Sequence, residues 1–221
     1  MRQPRERFLR EMTELERELQ ALGKLVDSSI ERAVWALKQR ALGEAQAVAR
    51  YDDEIDDAAE ALEEHALNLI ALQGPVATDL RMVSSLIRCA SELERMGDHA
   101  EGIAVLVLRS AEHPPFPLPP QIDTMAKEAR LLLRAALEAL MQRDPSANLR
   151  LKDHDDLVDK LYDEVFALVQ EHMRADPALV SGGTYMLWMA HNLERIADRA
   201  TNIAEYVEFI VRGRISSRPK E

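Results

Sequence analysis

The chain has 221 residues, of which 47% are apolar and 5% aromatic, and a formal net charge of −11. That length and apolar share support a buried core and exclude a disordered chain. The negative balance argues against a nucleic-acid groove, which needs clustered Lys and Arg; the basic cluster of Arg2, Arg5, Arg7 and Arg10 is confined to the N-terminus, so cations or basic proteins are the expected partners.

From Phe8 the apolar positions Met12, Leu15, Leu19, Leu22, Val26, Ile30, Ala33 and Leu37 recur at spacings of three and four, the pattern of a long amphipathic helix, expected to end near Gly43. A second helix carries Val48, Ile55, Ala59, Leu62, Ala66 and Leu69, and stops at Gly74 and Pro75, where Gly supplies the terminal turn and Pro can open the next helix. The third has Leu86, Ala90, Leu93, Gly97, Ala100, Ala104 and Val107 on its stripe, with Thr78, Asp79 and Arg81 at its start, placed to cap it or to touch a partner.

Five prolines between His113 and Pro120 cannot continue a helix and hold an extended connection. This divides the chain into residues 1–112, a linker at 113–120, and residues 121–221. Helix 4 uses Ile122, Met125, Ala129, Leu132, Ala136 and Leu140, and ends before Asp144 and Pro145, read as an N-cap and first-turn proline. Helix 5 carries Leu151, Val158, Leu161, Val165 and Leu168; Asp176 and Pro177 then open helix 6, with Leu193, Ala197, Ala200, Ala204 and Val207. Ile103 to Leu108, the longest apolar run, is too short to cross a bilayer before Arg109 and Glu112 interrupt it. With no secretory pattern at the N-terminus, and Cys89 as the sole cysteine, a cytoplasmic chain without internal disulfides is expected. Cys89 reads as a small buried hydrophobe, and Trp35 and Trp188 as core or dimer residues.

The two halves echo one another at an offset of about 100 residues. Leu93-Glu94-Arg95-Met96-Gly97-Asp98-His99-Ala100-Glu101-Gly102-Ile103-Ala104 aligns with Leu193-Glu194-Arg195-Ile196-Ala197-Asp198-Arg199-Ala200-Thr201-Asn202-Ile203-Ala204, identical at seven positions of twelve. Asp52 to Asp56 likewise aligns with Asp155 to Asp159. The fold expected is all-α: two tandem three-helix bundles, six long antiparallel helices related by internal duplication.

A core explains the repeated Leu, Ile and Ala, but not the repeated acids. Glu94 with Asp98, Glu194 with Asp198, Asp52 with Asp56 and Asp155 with Asp159 are each spaced four apart on one helix face, where like charges repel. In helix 3 each acid follows a core residue by one position, placing the acidic stripe ~100° from the apolar one, and Asp56 likewise follows Ile55. Antiparallel neighbours turn such flanks to the same side, and both acidic pairs lie roughly 30 Å from the Gly74 turn at 1.5 Å per residue. One patch of four carboxylates is therefore expected in each half. Oxygen-only donors suit Mg, Ca, Mn or ferric iron, and bridging carboxylates permit clusters.

These residues resemble the PhoU family. Its most specific motifs here are Gln73-Gly74-Pro75-Val76-Ala77-Thr78-Asp79-Leu80-Arg81 and the two Leu-Glu-Arg blocks, with Asn202-Ile203-Ala204-Glu205 and Ile210-Val211-Arg212-Gly213 extending the likeness over nearly the whole chain. Gly74 is inserted before the proline, Met96 stands where Ile is usual, Gly102 replaces an Asn that Asn202 keeps, and the second half has Gly183-Thr184-Tyr185 near the place of Asp-Leu-Arg. The resemblance implies a negative regulator of phosphate uptake and phosphate-starvation signalling (the Pho regulon) that contacts a phosphate ABC transporter and a sensor histidine kinase. It further implies a homodimer that carries multinuclear iron or zinc clusters, and attachment to the inner face of the membrane through partners.

Two rivals are weighed against this. A ferritin-type di-iron oxidase needs Glu three residues before His, but Leu62, Met96, Ser110, Leu151, Val169 and Trp188 precede the six histidines at that spacing. A helical adaptor that needs no metal is the other. No nucleophile, base and orienter recur together and no Gly-rich phosphate loop is present, so the chain does not read as an enzyme.

Overall fold

The computed structural model describes residues 2–213, with side chains from residue 5 onward. The Arg2 side chain of the basic cluster, and the part of the second bundle beyond residue 213, lie outside the described residues. Six long helices carry the described chain: α1 Arg2–Gln39, α2 Leu42–Gln73, α3 Thr78–Ser110, α4 Gln121–Gln142, α5 Ala147–Ala175 and α6 Val180–Arg212, the last entered through a 3-10 turn at Pro177–Leu179.

The apolar stripes read from the sequence form the core. Every stripe residue named in α1 to α4 and α6 is buried, and only Leu161 and Leu168 of α5 are half-buried, with Val169 buried beyond the named stripe. Helices α1–α3 and α4–α6 form two three-helix bundles. The bundles join along two antiparallel seams, α3 against α6 and α1 against α4, and one apolar core runs through both. Along the α1–α4 seam Lys38 pairs with Asp123, Arg130 holds Asp27 through Nε at 2.8 Å and Nη2 at 3.1 Å, and Arg143 pairs with Glu16. Cys89 lies in the core, where burial pushes its thiol well above the ordinary range; it is inert by the same argument.

Helix ends depart from the sequence reading in instructive ways. α1 stops at Gln39 because Arg40 turns into the left-handed region (φ 52), and Gly43 falls inside α2. Gly74 does end α2 in a left-handed cap, its N–H donating to Ile70, yet Pro75 does not start α3. That helix begins at Thr78, and its N-cap is Ala77, with no side-chain cap. The proposed capping residues are engaged elsewhere: Asp79 pairs with Arg5, and Arg81 donates to Thr78 Oγ1 at 3.0 Å. Asp144 also does not cap α5 directly. It accepts from the Ser146 N–H at 2.9 Å in the turn before the helix. Asp176 caps as expected, accepting from the Ala178 N–H at 2.9 Å, but it caps the 3-10 turn.

The proline segment is pinned between elements. A Cβ on Gly182 of α6 would stand 3.0 Å from the Pro114 carbonyl oxygen, and Phe116 meets the His172 ring edge-on with centroids 5.5 Å apart. Trp35 and Trp188 are half exposed, at 51% and 52%, so neither is a core residue. Trp35 lies opposite the buried face made by Ala33, Val34, Ala36 and Leu37.

Candidate metal centre

Two carboxylate clusters form where the duplicated acids of neighbouring helices face each other. In the first, Asp52 and Asp56 of α2 and Asp98 of α3 place oxygens within 4.8 Å of one another; in the second, Asp159 of α5 and Glu194 and Asp198 of α6 do the same. Glu94 lies beside the first trio, its carboxyl raised by burial and then by Asp98 and Asp56, with Arg95 opposing. Asp155 lies beside the second, adding to the charge that acts on Glu194. Six of the eight acids singled out by spacing thus meet, three in each half, and Glu94 and Asp155 act on them through charge.

Asp52 does not sit on the flank with Asp56. The buried column of α2 runs Ala45, Val48, Asp52, Ile55, Ala59, Leu62, Ala66, Leu69, so the carboxylate occupies a core position and is only 9% exposed. Its Oδ1 has no hydrogen-bond partner among the described residues. Asp155 holds the matching place in α5, between Leu151 and Val158, at 7% exposure. Gly97 makes room for Asp52: a Cβ there would lie 3.2 Å from Asp52 Oδ1 and 2.9 Å from Ile55 Cγ2.

Crowding and burial both penalise negative charge here. Burial, then Asp56, Glu101, Asp98 and Glu94, push Asp52 up to about 7. Burial, then Asp198, push Glu194 up to about 7, with Arg195 opposing and Asp159 and Asp155 adding to the rise. Asp56 is raised by burial and Asp98, and Glu101 by burial, Asp98 and Asp56. A carboxylate cluster of this kind holds protons, arginines or multivalent cations, and the exclusively oxygen donors of the two trios fit a hard cation.

The PhoU domain matches this chain twice, over residues 19–107 and 122–207. The chain belongs to the PhoU family. A phosphate-specific transport system accessory protein PhoU homolog of Caulobacter vibrioides is 34% identical over 214 residues, 95% of this chain and 93% of its own length. One from Synechocystis is 32% identical over 94% of this chain and 92% of its own. The crystal structure of PhoU from Pseudomonas aeruginosa superposes with a TM-score of 0.88 at 30% identity, covering 94% of this chain and all of that one. The phosphate transport system regulatory protein PhoU from Streptococcus pneumoniae gives 0.89 at 30% identity, over 96% and 100% of the two chains. These relatives carry the names of accessory and regulatory proteins. No described helix is long and apolar enough to cross a membrane.

Three residues at the PhoU clusters or at the α3–α6 seam escaped the sequence reading. Glu101 enlarges the first cluster; it follows Glu94 and Asp98 at the i+7 place of one helix face, but its counterpart is Thr201, so a search for repeated acids passes over it. Glu92, 9% exposed, crosses the α3–α6 seam to accept from Arg199 Nη1 at 3.3 Å, Asn202 Nδ2 at 3.2 Å and the Tyr206 hydroxyl at 3.2 Å. Its counterpart Asn192 faces His99 across the same seam, Oδ1 to Nδ1 at 2.9 Å. His191 is exposed and lies with Nδ1 3.2 Å from Glu194 Oε2.

Proposed function

We propose that this chain is a metal-binding accessory protein of a phosphate-specific transport system, regulating phosphate uptake and phosphate-starvation signalling through protein contacts. The observation that supports the metal reading is the buried Asp52 oxygen without a partner, aimed into a group of like-charged carboxylates. Nothing but a proton or a cation relieves such a group, and above neutral pH protons leave it. Asp52, Asp56, Glu94 and Asp98 would hold the ion in one half, and Asp155, Asp159, Glu194 and Asp198 in the other. The cation, whether Mg, Mn, iron or zinc, mono- or multinuclear, supplies positive charge that locks α2 to α3 and α5 to α6. The names of the relatives support the transport role; the transporter's other components and a sensor histidine kinase are the partners, reached from the cytoplasm by a homodimer.

The test has two arms. Protein reconstituted with Fe, Zn or Mn is dialysed and its metal content measured for wild type and for Asp98→Asn combined with Asp198→Asn; the variant should lose most bound metal, and unchanged stoichiometry refutes the metal reading. A pull-down from cells grown with and without phosphate should recover transporter or kinase components, and their absence in both conditions refutes the regulatory one.

A further inference from the structure

The two halves carry equivalent arginines at the end of their first helix, in Ala36-Leu37-Lys38-Gln39-Arg40 and Ala139-Leu140-Met141-Gln142-Arg143. Both take the left-handed conformation, φ 52 and φ 55, where an L side chain is strained by ~1 kcal/mol or more and Gly is usual. Arg143 uses the position: its guanidinium donates to the Leu140 carbonyl and pairs with Glu16. Arg40 does not, for its side chain makes no hydrogen bond or ion pair with any described residue.

Arg40 instead lines a cavity of about 250 Å³ enclosed by the ends of α1 and α3, the proline segment and the start of α6. The buried lining is apolar, with Leu37, Val107, Met186 and Met189, and Phe116 closes one side. The exposed rim carries Arg40 and Lys38, and Lys38 is engaged by Asp123. An apolar chamber below the size usual for drug-like ligands, with one uncommitted guanidinium at its edge, has the form of a site for an apolar chain with a single anionic head. Methionines suit a floor that must adapt to a flexible chain.

We infer that this cavity is a binding site for a medium-chain carboxylate, with the tail among Leu37, Val107, Met186 and Met189 and the carboxylate on Arg40. Such a ligand touches both bundles and the segment that joins them, so its occupancy stiffens that junction. None of its lining residues belongs to the carboxylate clusters, and the site does not depend on metal.

Decanoate is the probe, titrated into the full chain labelled with ¹³C at the methionine methyls. Saturable shifts of Met186 and Met189 are expected, with decan-1-ol binding about tenfold more weakly because it forfeits the charge-assisted bond. Arg40→Gly removes the head-group contact and leaves a residue at ease at φ 52, so it should fold and weaken decanoate about tenfold while leaving decan-1-ol unchanged. Val107→Phe should abolish both, and Arg143→Gly should affect neither. Absence of saturable shifts, or decanoate binding insensitive to Arg40→Gly, overturns the inference.

Discussion

The first and second carboxylate clusters descend from one motif, yet they are neutralised differently. In the first, Asp52, Asp56, Glu94 and Asp98 are joined by Glu101, and Arg95 acts on Glu94 without forming an ion pair. In the second, Thr201 replaces that fifth acid, Arg195 Nη1 holds Asp198 Oδ2 at 2.9 Å, and His191 lies against Glu194. Duplication preserved the oxygen donors while the charges around them diverged. One half leaves most of the repulsion standing; the other relieves part of it from its own chain.

The largest effect expected from this asymmetry is at the seam between the halves, where pseudo-equivalent Glu92 and Asn192 carry unequal loads. Glu92→Ala leaves Arg199 half-buried without its carboxylate and strips an acceptor from Asn202 and Tyr206, and should cost ~2–4 kcal/mol of stability. Asn192→Ala removes a neutral contact to His99 and should cost ~1 kcal/mol. Urea unfolding of both variants checks the ratio, and equal losses would show that the seam is symmetric in energy.

Asp52 gives the next effect, and its sign follows from linkage. Its carboxyl is raised from 3.8 to about 7 in the folded chain, so the folded state binds the proton more tightly than the unfolded one. The stability this gives is complete below pH 4 and is lost as pH rises through 7. Chelator-treated protein should therefore be less stable at pH 8 than at pH 5. Asp52→Asn, which is uncharged at every pH, should gain ~1–3 kcal/mol over wild type at pH 8 and nothing near pH 4. Added divalent metal should reverse the order at pH 8, because only wild type can bind it fully.

The helices, the duplication and the eight acids were legible in the sequence because each rests on local periodicity. The place of Asp52 was legible too, since 48, 52, 55 and 59 continue the core spacing, but a stripe traced through apolar residues alone skips it. Glu92, Glu101 and His191 were not recovered, because a search built on repetition discards whatever one half lacks. The caps of α3 and α5 were misread for another reason: Asp79 is taken by the distant Arg5, and Asp144 by Ser146 and Arg150 in the turn and first turn beyond it.

Cation affinity is a smaller and sharper probe. Asp198→Asn leaves only the first cluster and Asp98→Asn only the second, so calorimetric titration with Mn at pH 7.5 compares them directly. The first should bind about tenfold more tightly, since the second must release Asp198 from Arg195 before the ion is fully ligated. Arg195→Ala on the Asp98→Asn background should recover most of that difference. No tightening on Arg195→Ala would locate the asymmetry in Glu101 instead.

The smallest effect tests how the first cluster makes room for its buried acid. Gly97→Ala gains up to ~1 kcal/mol of helix propensity, but the new methyl meets Ile55 Cγ2 at 2.9 Å and Asp52 Oδ1 at 3.2 Å. Ile55 is β-branched and cannot rotate away within a helix, so overpacking of ~1–3 kcal/mol should prevail and leave a net loss near 1 kcal/mol. The second half shows the alternative solution, with Val158 and Ala197 at the corresponding positions: a methyl absent from one helix stands on the other. Ile55→Val removes Cδ1, 3.2 Å from the new methyl, but keeps Cγ2, so it should recover only part of the Gly97→Ala loss, ~0.5 kcal/mol. A double variant no better than Gly97→Ala alone would mean that the contacts with Ile55 Cγ2 and Asp52 Oδ1, which the substitution leaves in place, set the cost.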